Sequence, residues 1–414
     1  MKFSAKPKLF GITSLLIVSA MVMGMFPATT LADSRKPQRV SSLTEADLIA
    51  TARPLLDAQS KFYNIVNEQV GNIERTAQAD GTTDTTFDLT LSMVLKAKSV
   101  SDLPFVKGML QKVGATTVDE STATTIAKKI AKDPSIAAFA KAPVAQSNKV
   151  QSTDIPKIMS DVIVTANDTF KEYIGKTSEL CYNIKVTTDS DDKVLSVGAL
   201  TLDRYVPLEV FFPRSESAMR ESGANEFKTN VLSALTQTSS MAVSPNAIIS
   251  PAYKRISAKN YANTWTSTVT SSPYINESKY NPKYTSQNAN GGDCANYVSQ
   301  AMFEGGGVAQ DSTWKPYTPA WIKVTFMRTY FKTTKAYWNT STNANCSAGG
   351  ILIYCNSGGS AYHVAMCVLN DTVNKAFSAH NKDRKQVAYT NDLSLTGVAS
   401  DYVEYYVFNN VVAQ

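Results

Sequence analysis

Apolar residues between positions 43 and about 77 recur at spacings of three and four, the period of an amphipathic helix. Ser42 with Glu45 three residues on makes a capping box ahead of that run. The same period predicts helices over residues 87–98, 103–113 and 121–141, the last stopped by Pro143. Residues 33–150 therefore read as a helical region. The period then shortens. Residues 180–187, 193–202 and 205–212 are runs of β-branched and aromatic residues, the first two separated by Asp189-Ser190-Asp191-Asp192, and they predict a small meander. A helix over 215–236 would pack on it, so residues 151–236 form a small α+β region. Beyond it, residues 237–253 are rich in Ser, Pro and Ala without a period. A linker is expected at 237–250 and a separate domain over 251–414.

The C-terminal domain holds the pattern with the most chemistry. Gly291-Gly292-Asp293-Cys294-Ala295-Asn296-Tyr297-Val298-Ser299-Gln300-Ala301-Met302 reads as one helix: Asp293 is an N-cap type, Val298, Ala301 and Met302 share a face with Cys294, and Gly305-Gly306-Gly307 supplies a stop. Cys294 then lies in the first turn. There the free amides and the positive end of the helix dipole favour a thiolate, and Asp293 opposes it unless its carboxylate turns onto the amides of the next turn. A thiolate needs a base, and the chain has only two histidines, His363 and His380. Ala361-Tyr362-His363-Val364-Ala365-Met366-Cys367-Val368-Leu369 reads as a strand buried on both faces, residues 375–381 as the next, and Asn370-Asp371-Thr372-Val373 as the turn between them. A hairpin centred between Asp371 and Thr372 sets His380 opposite His363; a one-residue slip sets Asn381 there instead. Either could orient an imidazole base, which makes Cys294, His363 and His380 the candidate catalytic set. Singly, the cysteine and the histidines also fit buried core positions.

The N-terminal end adds a location. Lys2, Lys6 and Lys8, an apolar run of 17 residues from Phe10 to Phe26, Pro27 and Thr30-Leu31-Ala32 have the layout of a secretory signal peptide over 1–32, cut after Ala32. The rival reading is a membrane anchor, for which about 20 apolar residues are needed. Cleavage leaves a chain outside the cytoplasm, secreted or associated with the bacterial cell envelope, with no stable membrane insertion. At 414 residues, 43% apolar and 18% charged, the chain can bury two or three ordinary cores and is not disordered. Its net charge of +6 includes the three leader lysines, and residues 251–414 hold 14 Lys/Arg against 9 Asp/Glu, a modest bias toward an anionic surface such as a cell wall. Cys181, Cys294, Cys346, Cys355 and Cys367 show no CxxC spacing, which argues against a zinc site or a redox pair; the odd count leaves at least one thiol free. No glycine-rich phosphate loop or paired metal ligands occur before residue 250.

Residues 252–408 resemble the amidase domain of exported bacterial proteins, related to the papain-like NlpC/P60 and CHAP cysteine hydrolases. The matching stretches are Tyr253-Lys254-Arg255 with Tyr261-Ala262, Asn281-Pro282-Lys283-Tyr284, the block from Gly292 to Gln300, and His363-Val364-Ala365. The resemblance implies an α+β fold with a papain-like domain, a helix packed on an antiparallel sheet. It further implies Cys294 as nucleophile, His363 as base and His380 as the third, orienting residue. It departs where related domains carry Gly-Asp before a strand and this chain reads Gly349-Gly350-Ile351. Gln287 and Tyr284 are candidate oxyanion or substrate contacts, and Trp314, Trp321 and Trp338 candidate cleft or core residues. The expected function is hydrolysis of an amide bond in a cell-wall peptide or other amide substrate, with no cofactor, no metal and no nucleic-acid partner. The alternatives are a non-catalytic wall-binding or adhesion module, and a cysteine acyl-transferase.

Overall fold

The computed structural model describes residues 41–118, 155–201, 204–241, 252–270, 273–389 and 401–412. The expected signal peptide, the helix over 121–141 and residues 242–250 of the expected linker lie outside the described residues. The first cap falls two residues later than expected: Thr44 and Asp47, not Ser42 and Glu45, close a reciprocal box at the start of α1 (Glu45–Thr51). Helix α2 (Arg53–Ser60) follows, with Pro54 in its first turn.

The helical expectation then fails. Residues 63–77 and 83–95 are the two long strands of a hairpin, β1 (Tyr63–Ala77) and β2 (Thr83–Leu95). In β2 the residues Phe87, Leu89, Leu91, Met93 and Leu95 alternate strictly and all point into the core, a period of two that a helix would scatter around its axis. In β1 two bulges, at Ile65/Asn67 and Gly71/Glu74, break the alternation and mimic helical spacing. Helix α3 (Pro104–Gln111) lies where 103–113 predicted one. Helix α4 (Ile155–Phe170) leads to the meander β3 (Thr177–Thr188), β4 (Val194–Leu200) and β5 (Tyr205–Pro207). The last strand is shorter than expected because residues 208–211 close into a single helical turn. Helix α5 (Glu216–Met241) then packs against α3 and α4.

The C-terminal half contributes β6 (Tyr253–Lys254), α6 (Arg255–Thr264), α7 (Cys294–Gln300), α8 (Pro319–Ile322) and α9 (Val324–Thr329). Strands β7 (Trp338–Ser341), β8 (Ile351–Cys355), β9 (Ala361–Asn370), β10 (Lys375–Ala379), β11 (Arg384–Ala388), β12 (Tyr402–Phe408) and β13 (Val411–Val412) complete it. The fold is mixed α+β. One sheet runs in the order β1-β2-β3-β11-β10-β9-β8-β12-β7, antiparallel except where β11 meets β3 in parallel at Val387 and Cys181. The meander and the C-terminal strands thus share a sheet.

Helices α6, α7 and α9 cover one face of β9. Val364, Met366 and Val368 point toward them, while Ala365 and Cys367 point into a second core with Leu352, Tyr354 and Phe377. Burial on both faces is what the unbroken apolar run of β9 requires, and each large side chain so buried stabilises by about 1.5–3 kcal/mol. All five cysteines are free and buried. Polar contacts bind the two halves at the hairpin turn: Tyr63 donates to Asp371 Oδ2 (2.7 Å), and the Gln59 and Asn374 amides exchange hydrogen bonds (3.1 and 2.8 Å). Arg255, almost fully buried, pairs with Glu172 at 2.6 Å.

Candidate active site

Cys294 is the first residue of α7 and only 8% exposed. Asp293 holds the N-cap position, but its carboxylate makes no cap bond to the helix amides. Its Oδ1 accepts from the Gln287 N–H (2.7 Å) and from Asn296 Nδ2 (2.8 Å), and its Oδ2 faces His380 Nδ1 at 2.7 Å. The carboxylate is therefore drawn sideways into a loop, not onto the next turn. Gly292 sits at φ +130°, and a Cβ there would stand 2.7 Å from Asn381 Nδ2. Glycine is what lets the Asn381 amide close on the loop that carries the cysteine. After one π turn over residues 301–305 the chain leaves the helix at Gly307, φ +73°.

The polar face of α7 is fully engaged. Trp321 Nε1 donates to Asn296 Oδ1 (2.8 Å), Ser299 donates to the Trp321 carbonyl (2.9 Å), and Trp314 Nε1 donates to Ser299 (3.2 Å). Trp314, Trp321 and Trp338 are all buried in the core. Gln287 donates to the carbonyls of Thr285 and Ser286, and Tyr284 donates to Glu304, so the side-chain bonds of both stay within the loop and α7 region.

The electrostatics of the sulfur run against the thiolate expectation. Burial pushes the Cys294 thiol up to about 11; the amides of Val364, Ala295 and Cys294 itself oppose this, and the Asp293 charge adds to it. Dipole and amides are outweighed because a thiolate at this buried position would have little water to solvate its charge. The Val364 N–H brings the sulfur against β9 one residue from His363. His363 is half-buried, with its ring 5.3 Å from that of its ladder partner Tyr354. Burial, helped by Lys382 and Arg384, pushes its imidazole down to about 4. Thiol and imidazole are thus both neutral near pH 7, and among the described residues no hydrogen bond joins them.

His380 is 1% exposed, and its ring lies between Tyr280 (centroids 3.6 Å, planes 11° apart) and Tyr297 (4.0 Å, 24°). Its Nε2 lies 2.6 Å from the Trp265 carbonyl, which can only accept, so Nε2 carries a hydrogen; its Nδ1 meets Asp293. Both nitrogens are spent, and neither on His363. Lys375 pairs with Asn370 and, after a bulge, Ser378 pairs with Met366, where the ladder ends. Residues 380–383 form a turn with Asn381 at φ +72°, so neither His380 nor Asn381 is paired with His363 across the hairpin. The sequence suggested nothing of Trp265, Tyr280 or the Asp293–His380 pair, because that pair joins residues 87 apart through the fold.

Residues 252–406 match the family model described as "Putative amidase domain". The matched segment contains Cys294, His363, His380 and Asn381, and the likeness suggests amide hydrolysis. No curated protein and no solved structure matches the chain.

Proposed function

We propose that this protein is an exported, papain-like cysteine hydrolase of amide bonds, related to the NlpC/P60 and CHAP enzymes, with Cys294 as nucleophile, His363 as base and a cell-wall peptide as substrate. The observation that carries the proposal is the meeting of Cys294, at the first position of α7, with the backbone of β9 directly after His363, inside the segment similar to an amidase domain. A thiol pushed up to about 11 beside an imidazole pushed down to about 4 favours proton transfer during attack over a standing ion pair. His363 takes the thiol proton as the sulfur–carbon bond forms on the amide carbonyl. The backbone N–H of Cys294 supports the oxyanion. The imidazolium then gives the proton to the departing amine as the carbon–nitrogen bond breaks, leaving a thioester. Water, deprotonated by His363, releases the acid and restores the thiol. Catalytic hydrogen bonds are often long without substrate and tighten when it binds.

His380 is a positioning residue in this scheme: through Asp293 it fixes the loop that presents the sulfur. Incubation of the purified protein with isolated cell-wall peptides, followed by assay of new amino groups, tests the reading. Release by the native protein and none by Cys294→Ser supports it. One observation favours a second reading, a wall-binding module: the thiol is buried and neutral. That module would bind wall fragments equally well with and without Cys294 and release no amine.

A further inference from the structure

A cavity of about 220 Å³ lies at the turn of the β9–β10 hairpin, where the two halves of the chain meet. That is below the roughly 300 Å³ at which pockets for drug-sized ligands begin, so it has room only for a smaller molecule. Phe211, Phe212 and Tyr389 give its lining aromatic surface, Arg214 and Lys375 bring cations, and Ser222, Asn370, Thr372 and Asn374 add neutral polar side chains. Arg214 is exposed at one side and has no ion-pair partner among the described residues. Lys375 is half-buried and spends one N–H on the Asn343 carbonyl (2.7 Å). Thr372 stands at φ +76°, a conformation costly for a β-branched residue, and its hydroxyl is buried without a partner. Two cationic side chains thus line one largely apolar space.

We propose that this cavity binds a small carboxylic acid with an apolar body. The carboxylate lies between Arg214 and Lys375, while the body packs on the aromatic side chains. Charge-assisted bonds of this kind set the preference for an anion over its neutral isostere. The charged groups around Lys375 are Arg214, which repels it, and Glu226, which attracts it, with the Cys346 and Cys367 thiols alongside. Burial holds its ammonium down at about 8, and a bound anion would raise it again. Affinity therefore falls as pH rises past 8.

The test is calorimetric titration of the purified protein with 3-phenylpropionate and, separately, with 3-phenylpropanamide. The acid is expected to bind saturably and at least about tenfold more tightly than the amide. Lys375→Met and Arg214→Gln each weaken the acid about five- to tenfold and leave the amide unchanged. Equal affinity for acid and amide, no saturation by about 10 mM, or acid binding indifferent to Lys375→Met would overturn the proposal.

Discussion

The two ends of the β9–β10 hairpin bury titratable groups in opposite ways. At the turn, the Asp371 carboxylate and the Asn374 amide are matched. Asp371 accepts from Tyr63 and from the amides of Val373 and Asn374, and Asn374 is locked to Gln59. At the open end, His380 and Asp293 are equally satisfied, but the Cys294 thiol and the His363 imidazole sit near each other with no bond between them. Saturated networks hold a fold; under the proposed mechanism, the unlinked thiol and imidazole are left free to exchange a proton when substrate binds. The two ends should therefore respond to substitution in different currencies, stability at one and rate at the other.

The sharpest contrast comes from the sulfur. Cys294→Ser is expected to lower amide hydrolysis by at least about a thousandfold while moving unfolding free energy by no more than about 1 kcal/mol, read by amine release and by urea denaturation. His363→Gln should cost about a hundredfold or more in kcat. In the native protein kcat/KM should rise through pH about 4 and then stay level, since above that value the base is already neutral and the thiol keeps its proton to about 11. A rise centred near 6.5 would point to an unburied imidazole. The same depressed value makes the fold lose stability as pH falls from 6.5 through 4, because unfolding lets His363 take a proton.

His380→Gln breaks a buried hydrogen-bonded contact with Asp293 and should cost about 1–3 kcal/mol of stability. It should also lower kcat about tenfold per folded molecule while leaving KM and the acid limb of the pH profile in place. An unchanged kcat would reduce His380 to a purely structural residue. At the turn end, Tyr63→Phe is expected to destabilise by about 1–3 kcal/mol, leaving an acceptor of Asp371 unmet, with kcat untouched. Asp371 itself is held up at about 6 by burial, above its ordinary 3.8. The fold prefers its protonated form, so this group stabilises most below pH 3.8. By pH above 6 about 3 kcal/mol of that stability is gone. Asp371→Asn should flatten that part of the stability profile.

Much of this contrast was readable before the structure, and the rest fails for identifiable reasons. The meander, α5, α7 and the buried β9 follow from period and composition, because their burial pattern is regular. The β1–β2 hairpin was missed differently in its two strands. Bulges in β1 gave its apolar residues helical spacing, whereas the strict alternation from Phe87 to Leu95 was present in the sequence and carries the correct answer. Cys294 at a helix start was legible; the state of its thiol was not, because burial against β9 outweighs the local dipole. Likewise the His380 partners were not legible, because Asp293 and Trp265 reach it from segments 87 and 115 residues away in the chain.

The most direct test of the central claim needs no knowledge of the natural substrate. The protein is mixed rapidly with p-nitrophenyl acetate at pH 7, quenched in acid, and mapped by peptide mass spectrometry alongside His363→Gln. The account predicts a burst of nitrophenol matched by an acetyl group on Cys294, both lost in the variant. Acetylation spread over surface lysines, or equal labelling of Cys294 without His363, would contradict it.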